Sequence, residues 1–460
     1  MISNSILPDS KFILSELGIE ASSVRFIKHS LKRTHYQAAI NWLSRYIPKS
    51  TENKLEQIRG FLEAFHHFCS VDALQPASRI LTIRLNTVTH DEFGNQLYTW
   101  GYCQEQIKLY EALLGKLDAT CDSIFLNNLG LAYRSLGDYT KAANYYSQSV
   151  TIAKALHDLE GEGIALCNLG HIHILQGQCE LAIACFQDAL QIAYQSKDIP
   201  LLGDTIGNLG LVFQTLGEYA KAIECHQQYL AIAQRIDDPT REHRALNGLG
   251  IAYQRLENYT QAVAAYQQSL AISQKIGDRF DEGTVLGNLG AAFLELGDYQ
   301  EAINYFQQHQ VLAEEISDRA GIARAAGNLS ITYERLGNYI QARDFAQKHC
   351  QIATEIGDRS GEAKALHELG LALIKLEQFT DAKEQLQGAT SLLSYIGNAD
   401  EQAEVLKDLA YLHYQLGDYE AALTCCQRAL AISKQSGGEL WDACHQLIEQ
   451  LQSENENSIA

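Results

Sequence analysis

The densest set of side chains able to hold a metal ion lies in one stretch, where Cys167, His171, His173, Cys179 and Cys185 follow one another closely. Cys167 and His171 are four apart and share a face if the segment is helical. Zinc needs ligands that converge on one point, whereas these five are spread over two helical stretches and a turn. His173 stands where related stretches of the chain place a packing aromatic, and Cys179 where they place Tyr or Phe. The five are therefore read as packing residues, and no metal or cofactor is expected. His66 and His67 are read as a partly exposed helical pair. No phosphate-binding loop, nucleophile elbow, HExxH or paired-cysteine spacing occurs, so no enzymatic activity is expected.

Amide chemistry is more regular. Asn128, Asn168, Asn208, Asn288 and Asn328 recur at forty-residue intervals; Gly248 interrupts the column with Asn247 beside it, and Glu368 and Asp408 continue it. Asn is a mediocre helix former and needs a reason to sit inside a helix. Its amide carries donors and an acceptor, which match both polar groups of an extended peptide backbone. An Asn ladder would grip a strand without regard to its sequence. The competing reading is a hydrogen bond from one repeat to the next. Four residues before and seven after this column stand Arg244, Arg255, Arg324, Arg335, Lys364 and Lys375. The equivalent earlier positions are Ile124, Ile164, Asp204, Ser135, Leu175 and Thr215. Cations gathered on one wall of a chain with net charge −20 point to an acidic ligand.

The elements that carry these columns are helical. The last proline is Pro239, and long proline-free stretches rich in Ala, Leu, Gln and Glu favour helix. A Leu recurs at Leu129, Leu169, Leu209, Leu249, Leu289, Leu329, Leu369 and Leu409. A small residue follows each. An Ala recurs at Ala142, Ala182, Ala222, Ala262, Ala302, Ala342, Ala382 and Ala422, after turns such as "LGDY". Each unit fits two amphipathic helices. Leu286, Leu289, Ala292 and Phe293 line one helical face, Gly297 ends it, and Ala302 lies on the second helix. Small residues at the Gly290 and Ala302 columns let the helices approach. The linker Asp column, Asp158, Asp198, Asp238, Asp278, Asp318 and Asp358, each just before a first helix, is read as N-caps.

This spacing resembles the tetratricopeptide repeat: Leu, a Gly three residues before an aromatic (Tyr133, Phe213, Tyr253, Phe293, Tyr333), then Ala and a further aromatic (Tyr146, Phe186, Tyr266, Phe306). The forty-residue period and the "IGDR" linkers at Ile276 and Ile356 look like the repeat form of the LGN and Pins polarity adaptors. Many-repeat bacterial proteins, cyanobacterial ones among them, are similar. The resemblance implies an all-α, right-handed superhelical solenoid of helix pairs, with first helices on the concave wall. It also implies that the Asn position contacts peptide main chain.

The expected organisation is an N-terminal helical cap over residues 1–80, a degenerate unit over 81–119, and eight units over 120–437. A capping helix and frayed polar tail would fill 438–460. Phe61–Leu81 is a candidate tenth unit, with Ala77 in the Ala column. Val24–Ile47 reads as one or two helices bearing Arg25, Lys28, Lys32, Arg33 and Arg45 with no acid between them. Such a charge run is expected to be compensated by its own neighbours. The irregular spacing of eleven cysteines suggests reduced thiols in a cytoplasm. The negative charge disfavours nucleic acid, and no apolar run reaches the length of a membrane span. The expected function is a non-enzymatic adaptor that holds an extended, acidic segment of another protein. The alternative is a peptide-sensing regulator like the Rap proteins, whose N-terminal region acts on a partner.

Overall fold

The computed structural model describes residues 6–48, 53–87, 90–433 and 438–459, the side chains of residues 439 and 451–459 apart. Among these residues the chain is helical throughout and has no strand, only an isolated antiparallel bridge between Arg84 and Glu92. It forms two compact units, Met1–Ile232 and Ala233–Ala460.

The first unit opens with α1 (Ser10–Glu16), a 3-10 turn (Ser23–Phe26), α2 (Ser30–Arg45) and a short α3 (Lys54–Gln57). Then come α4 (Arg59–Cys69), α5 (Leu74–Leu81), α6 (Phe93–Thr99) and α7 (Cys103–Leu113). Phe61, Phe65, Phe68 and Ala77 are wholly buried here. Regular pairs follow: α8 (Ala119–Ser135) with α9 (Tyr139–Leu156), and α10 (Leu159–Leu175) with α11 (Cys179–Ser196). Next are α12 (Ile199–Thr215) and α13 (Tyr219–Arg235), the latter containing the boundary between the units.

The second unit continues the pairing with α14 (Pro239–Arg255) and α15 (Tyr259–Ile276), α16 (Arg279–Leu296) and α17 (Tyr299–Glu315), then α18 (Arg319–Arg335) and α19 (Tyr339–Ile356). The last pairs are α20 (Arg359–Lys375) with α21 (Phe379–Ile396), and α22 (Ala399–Gln415) with α23 (Tyr419–Ile432). The closing α24 runs Glu439–Ile459. The polar end expected to fray thus continues the helix; Ala460 and residue 437, the expected end of the repeats, lie outside the described residues.

Local rules account for the pairing. All eight residues of the Ala column are wholly buried. At the preceding Gly column a Cβ would lie 2.7 Å from the Tyr146 ring at Gly130, 2.6 Å from Phe186 at Gly170 and 2.5 Å from Phe306 at Gly290. These glycines leave room for the ring sixteen residues later. Gly297, at φ +80°, supplies the left-handed turn that an L side chain resists. The linker Asp residues cap as expected: Asp278 accepts from the Asp281 N–H at 3.0 Å and Asp318 from Gly321 at 2.9 Å. Beside the core, Tyr133 stacks on Tyr145, Phe293 on Tyr305 and Tyr333 on Phe345, each second residue being on the partner helix.

Candidate functional site

In each unit successive first helices touch one another, α8 with α10 and α10 with α12 in the first, α14 through α22 in the second. Among the described residues of each unit, second helices such as α9 and α11, or α15 and α17, do not come into comparable contact. The first helices therefore line the closer-packed side of each stack. On such a helix an Asn-column residue and the positions four before, three after and seven after it share a face.

The six Asn are half-buried. Asn168 Nδ2 donates to Asn127 Oδ1 of the preceding repeat at 2.9 Å, and Asn288 Nδ2 to Asn247 Oδ1 at 3.0 Å. Later in the chain His367 Nε2 and Asp408 Oδ2 form the same cross-repeat pair at 2.7 Å, and Asn208 bonds the Cys167 thiol. Asn247 therefore stands in the accepting position of this bridge, not in the interrupted column. Among the described residues no hydrogen bond reaches the side-chain amides of Asn128 and Asn328. The column is thus divided between amides that tie repeats together and amides that are unengaged.

All six cations are exposed. Arg324 pairs with Asp318 at 3.3 Å, Arg335 with Glu295 at 3.5 Å and Lys364 with Glu401 at 3.4 Å. Among the described residues Arg255 and Lys375 are in no ion pair. Arg244 lies near Asp281, whose carboxyl is held below its usual range by a hydrogen bond from His243 and by the charges of His243 and Arg244, against the cost of burial.

Sequence reasoning missed the apolar part of this face. Three residues after the Asn column stand Leu131, Leu211, Ile251, Ala291, Ile331, Leu371 and Tyr411, with the polar His171 as the exception, all partly or largely exposed. Their regular spacing was visible, but apolar residues in a repeat are ordinarily assigned to the core. Around Ile331 and Leu371 this strip opens into a recess of about 360 Å³. Ala363, Leu393 and Val405 also line it, with Lys364, His367, Glu368, Glu401 and Glu404.

The five candidate metal ligands have other partners. His173 Nδ1 meets Gln178 Oε1 at 2.8 Å, and His171 Nδ1 meets the Cys167 carbonyl at 3.1 Å. Cys167 Sγ lies 3.5 Å from Thr205 Oγ1, and Cys179 packs with Ala182, Phe186 and Val212. Burial pushes the Cys167 and Cys185 thiols up to about 11. Among the described residues no three His, Cys, Asp or Glu side chains converge as a metal ion requires. His67 is half-buried with its Nδ1 3.1 Å from His35 Nδ1, while His66 is exposed.

Comparison with known proteins agrees with this fold. No curated protein matches the chain in sequence. Among solved structures, a signal transduction ATPase with numerous domains from Pyrococcus horikoshii, which carries a tetratricopeptide repeat sensor, is 16% identical with a TM-score of 0.58. The match covers 92% of this chain and 63% of that one. The quorum sensor NprR from B. thuringiensis, in its apo form, is 14% identical with a TM-score of 0.53, covering 74% of this chain and 100% of that one. Aspartyl phosphate phosphatase F from Bacillus subtilis is 14% identical with a TM-score of 0.52, covering 75% and 93%. At such identities the likeness concerns the fold alone. The tetratricopeptide repeat model matches residues 122–195, 161–235, 201–275, 241–315, 281–355, 321–394 and 361–435, most of the chain, and the protein belongs to the tetratricopeptide repeat family.

Proposed function

We propose that the chain is a non-enzymatic scaffold of the cytoplasm whose first helices hold an extended, acidic segment of another protein. One observation carries this reading: exposed cations, the unengaged Asn328 amide and an apolar recess share one face of the second unit. Arg324, Asn328 and Ile331 occupy positions −4, 0 and +3 of a single helix, and Lys364 and Leu371 repeat that placement one helix pair later.

Each group has a task. The Asn328 amide pairs with main-chain N–H and C=O groups. The recess takes one apolar side chain of the segment. Carboxylates of the segment replace Asp318 on Arg324 and Glu401 on Lys364. That exchange costs little, because exposed ion pairs are weakly stabilising, and Arg can grip a carboxylate with two parallel bonds. The negative charge of the rest of the chain disfavours nucleic acid as the occupant.

A peptide-display selection on the wild-type chain, counter-selected on Arg324→Glu/Lys364→Glu, tests the reading. Recovered sequences rich in Asp and Glu around one apolar residue support it. A pool of neutral or basic composition that binds both proteins equally refutes it.

A further inference from the structure

The basic segment near the N-terminus was expected to be neutralised by its neighbours; among the described residues it is not. Among the described residues none of Arg25, Lys28, Lys32, Arg33 and Arg45 is in an ion pair. Four of these cations fall between Arg25 and Arg33, together with two large apolar side chains that face solvent: Phe26 is 72% exposed and Leu31 55%. The segment is held in place from behind. Val24 is buried, and Arg33 Nη1 donates to the Ile27 carbonyl at 3.4 Å. Arg25 lies over the Phe26 ring at 4.8 Å, and Lys32 is 5.9 Å from the Tyr36 ring. Four cations and two exposed apolar side chains therefore lie within nine consecutive residues.

We propose that Arg25–Arg33 docks the chain on an anionic lipid surface, with Phe26 and Leu31 entering between headgroups whose phosphates engage Arg25, Lys28, Lys32 and Arg33. Cations beside protruding apolar side chains suit a boundary where charge lies next to hydrocarbon. An acidic protein would satisfy the cations, but Phe26 and Leu31 would also need matching recesses on it, whereas a fluid lipid surface admits them without a preformed recess. Repulsion from the acidic remainder is screened within about 8 Å at physiological salt. The contact is peripheral: among the described residues no helix is long and apolar enough to cross a membrane.

Sedimentation of the full chain with vesicles tests this, using phosphatidylcholine alone and phosphatidylcholine mixed with phosphatidylserine. Binding is expected only to the mixed vesicles, and it should weaken as salt rises. Each surface cation is worth about fivefold in partitioning, so Lys28→Glu/Lys32→Glu should lower it by at least about 25-fold. Phe26→Ser/Leu31→Ser should lower it at least about tenfold, with unchanged helicity because both side chains are exposed. In a Phe26→Trp variant the indole fluorescence should shift to the blue on mixed vesicles. The proposal is overturned if the wild-type chain ignores mixed vesicles, as it would if its partner were an acidic protein. It is equally overturned if either double variant binds undiminished, or if Phe26→Trp binds without a spectral shift.

Discussion

Gly290 and Phe306 share one space: a methyl group on Gly290 would stand 2.5 Å from the ring of Phe306. The same column shows what happens when the glycine is absent. Ser330 replaces it in the next repeat, and the residue sixteen positions later is Ala346. Ser330 Oγ then donates to the Ala342 carbonyl at 2.9 Å. In the eighth repeat Ala410 is matched by Cys426. A larger residue at the first position goes with a smaller one at the second.

This predicts a coupling that denaturation of single and double variants can measure. Gly290→Ser alone should destabilise by about 1–3 kcal/mol through overpacking, and Phe306→Ala alone by about 3–5 kcal/mol through the cavity it leaves. The double variant copies the Ser330–Ala346 pair and should lose clearly less than the two combined. Strictly additive losses would contradict the shared-space reading.

His226 should govern part of the acid sensitivity. It lies in the column of Tyr146, Phe186 and Tyr266, is buried, and among the described residues finds no hydrogen-bond partner for either ring nitrogen. Burial lowers its pKa to about 4, and burial does the same for His309 with help from Arg324. The unfolded chain protonates these rings near 6.5 and the folded chain only near 4. Their contribution is thus fully present above pH 6.5 and declines as pH falls from 6.5 to 4, by about 1.4 kcal/mol per pH unit for each ring. His226→Phe, which restores the column's aromatic, should raise stability at pH 5 and flatten this slope. An unchanged slope in thermal melts from pH 7 to pH 4.5 would assign the sensitivity elsewhere.

The Asn column should separate by substitution. Asn168→Ala and Asn288→Ala each remove a cross-repeat hydrogen bond and should cost about 0.5–1.5 kcal/mol. Asn328→Ala removes no such bond and should leave the melting temperature unchanged while weakening a peptide recovered by display. If Asn328→Ala destabilises the fold and leaves peptide affinity intact, the amide is a strut and not a ligand contact.

Charge selection is read by titration calorimetry with the same peptide across a salt series. Wild-type affinity should fall as salt rises. Arg324→Glu/Lys364→Glu should weaken it at least tenfold, since two charge-assisted contacts become repulsive. The melting temperature should hold within a few degrees, because the pairs lost with Asp318 and Glu401 are exposed. Indifference to both salt and charge reversal would move the ligand off this wall.

Helix pairing was legible because its determinants lie within one repeat: Leu289, Gly290, Gly297 and Ala302 are close in sequence and act locally. The division of the Asn column was not. Asn168 meets Asn127 forty-one residues earlier, so the bridge depends on how consecutive repeats rotate against each other, which no single repeat encodes. The partners of Arg335 and Lys364 escaped for the same reason. Arg335 and Glu295 occupy one column in adjacent repeats, and each looks unpaired when read along its own helix. The charges at Arg25–Arg33, unpaired among the described residues, reversed the expectation because absent ion pairs leave no mark in a sequence.

The contrast between these two kinds of contact bears on how such a chain can grow and shrink. Gly290 and Phe306 travel together in one forty-residue cassette, so duplicating or deleting that cassette carries the fit along intact. Asn288 and Asn247 belong to different cassettes, and a recombination event between them can separate donor from acceptor. Changes in repeat number should therefore spare the interior of each pair and leave their record at the seams, as substitutions such as the His367–Asp408 pair standing where amides stand elsewhere.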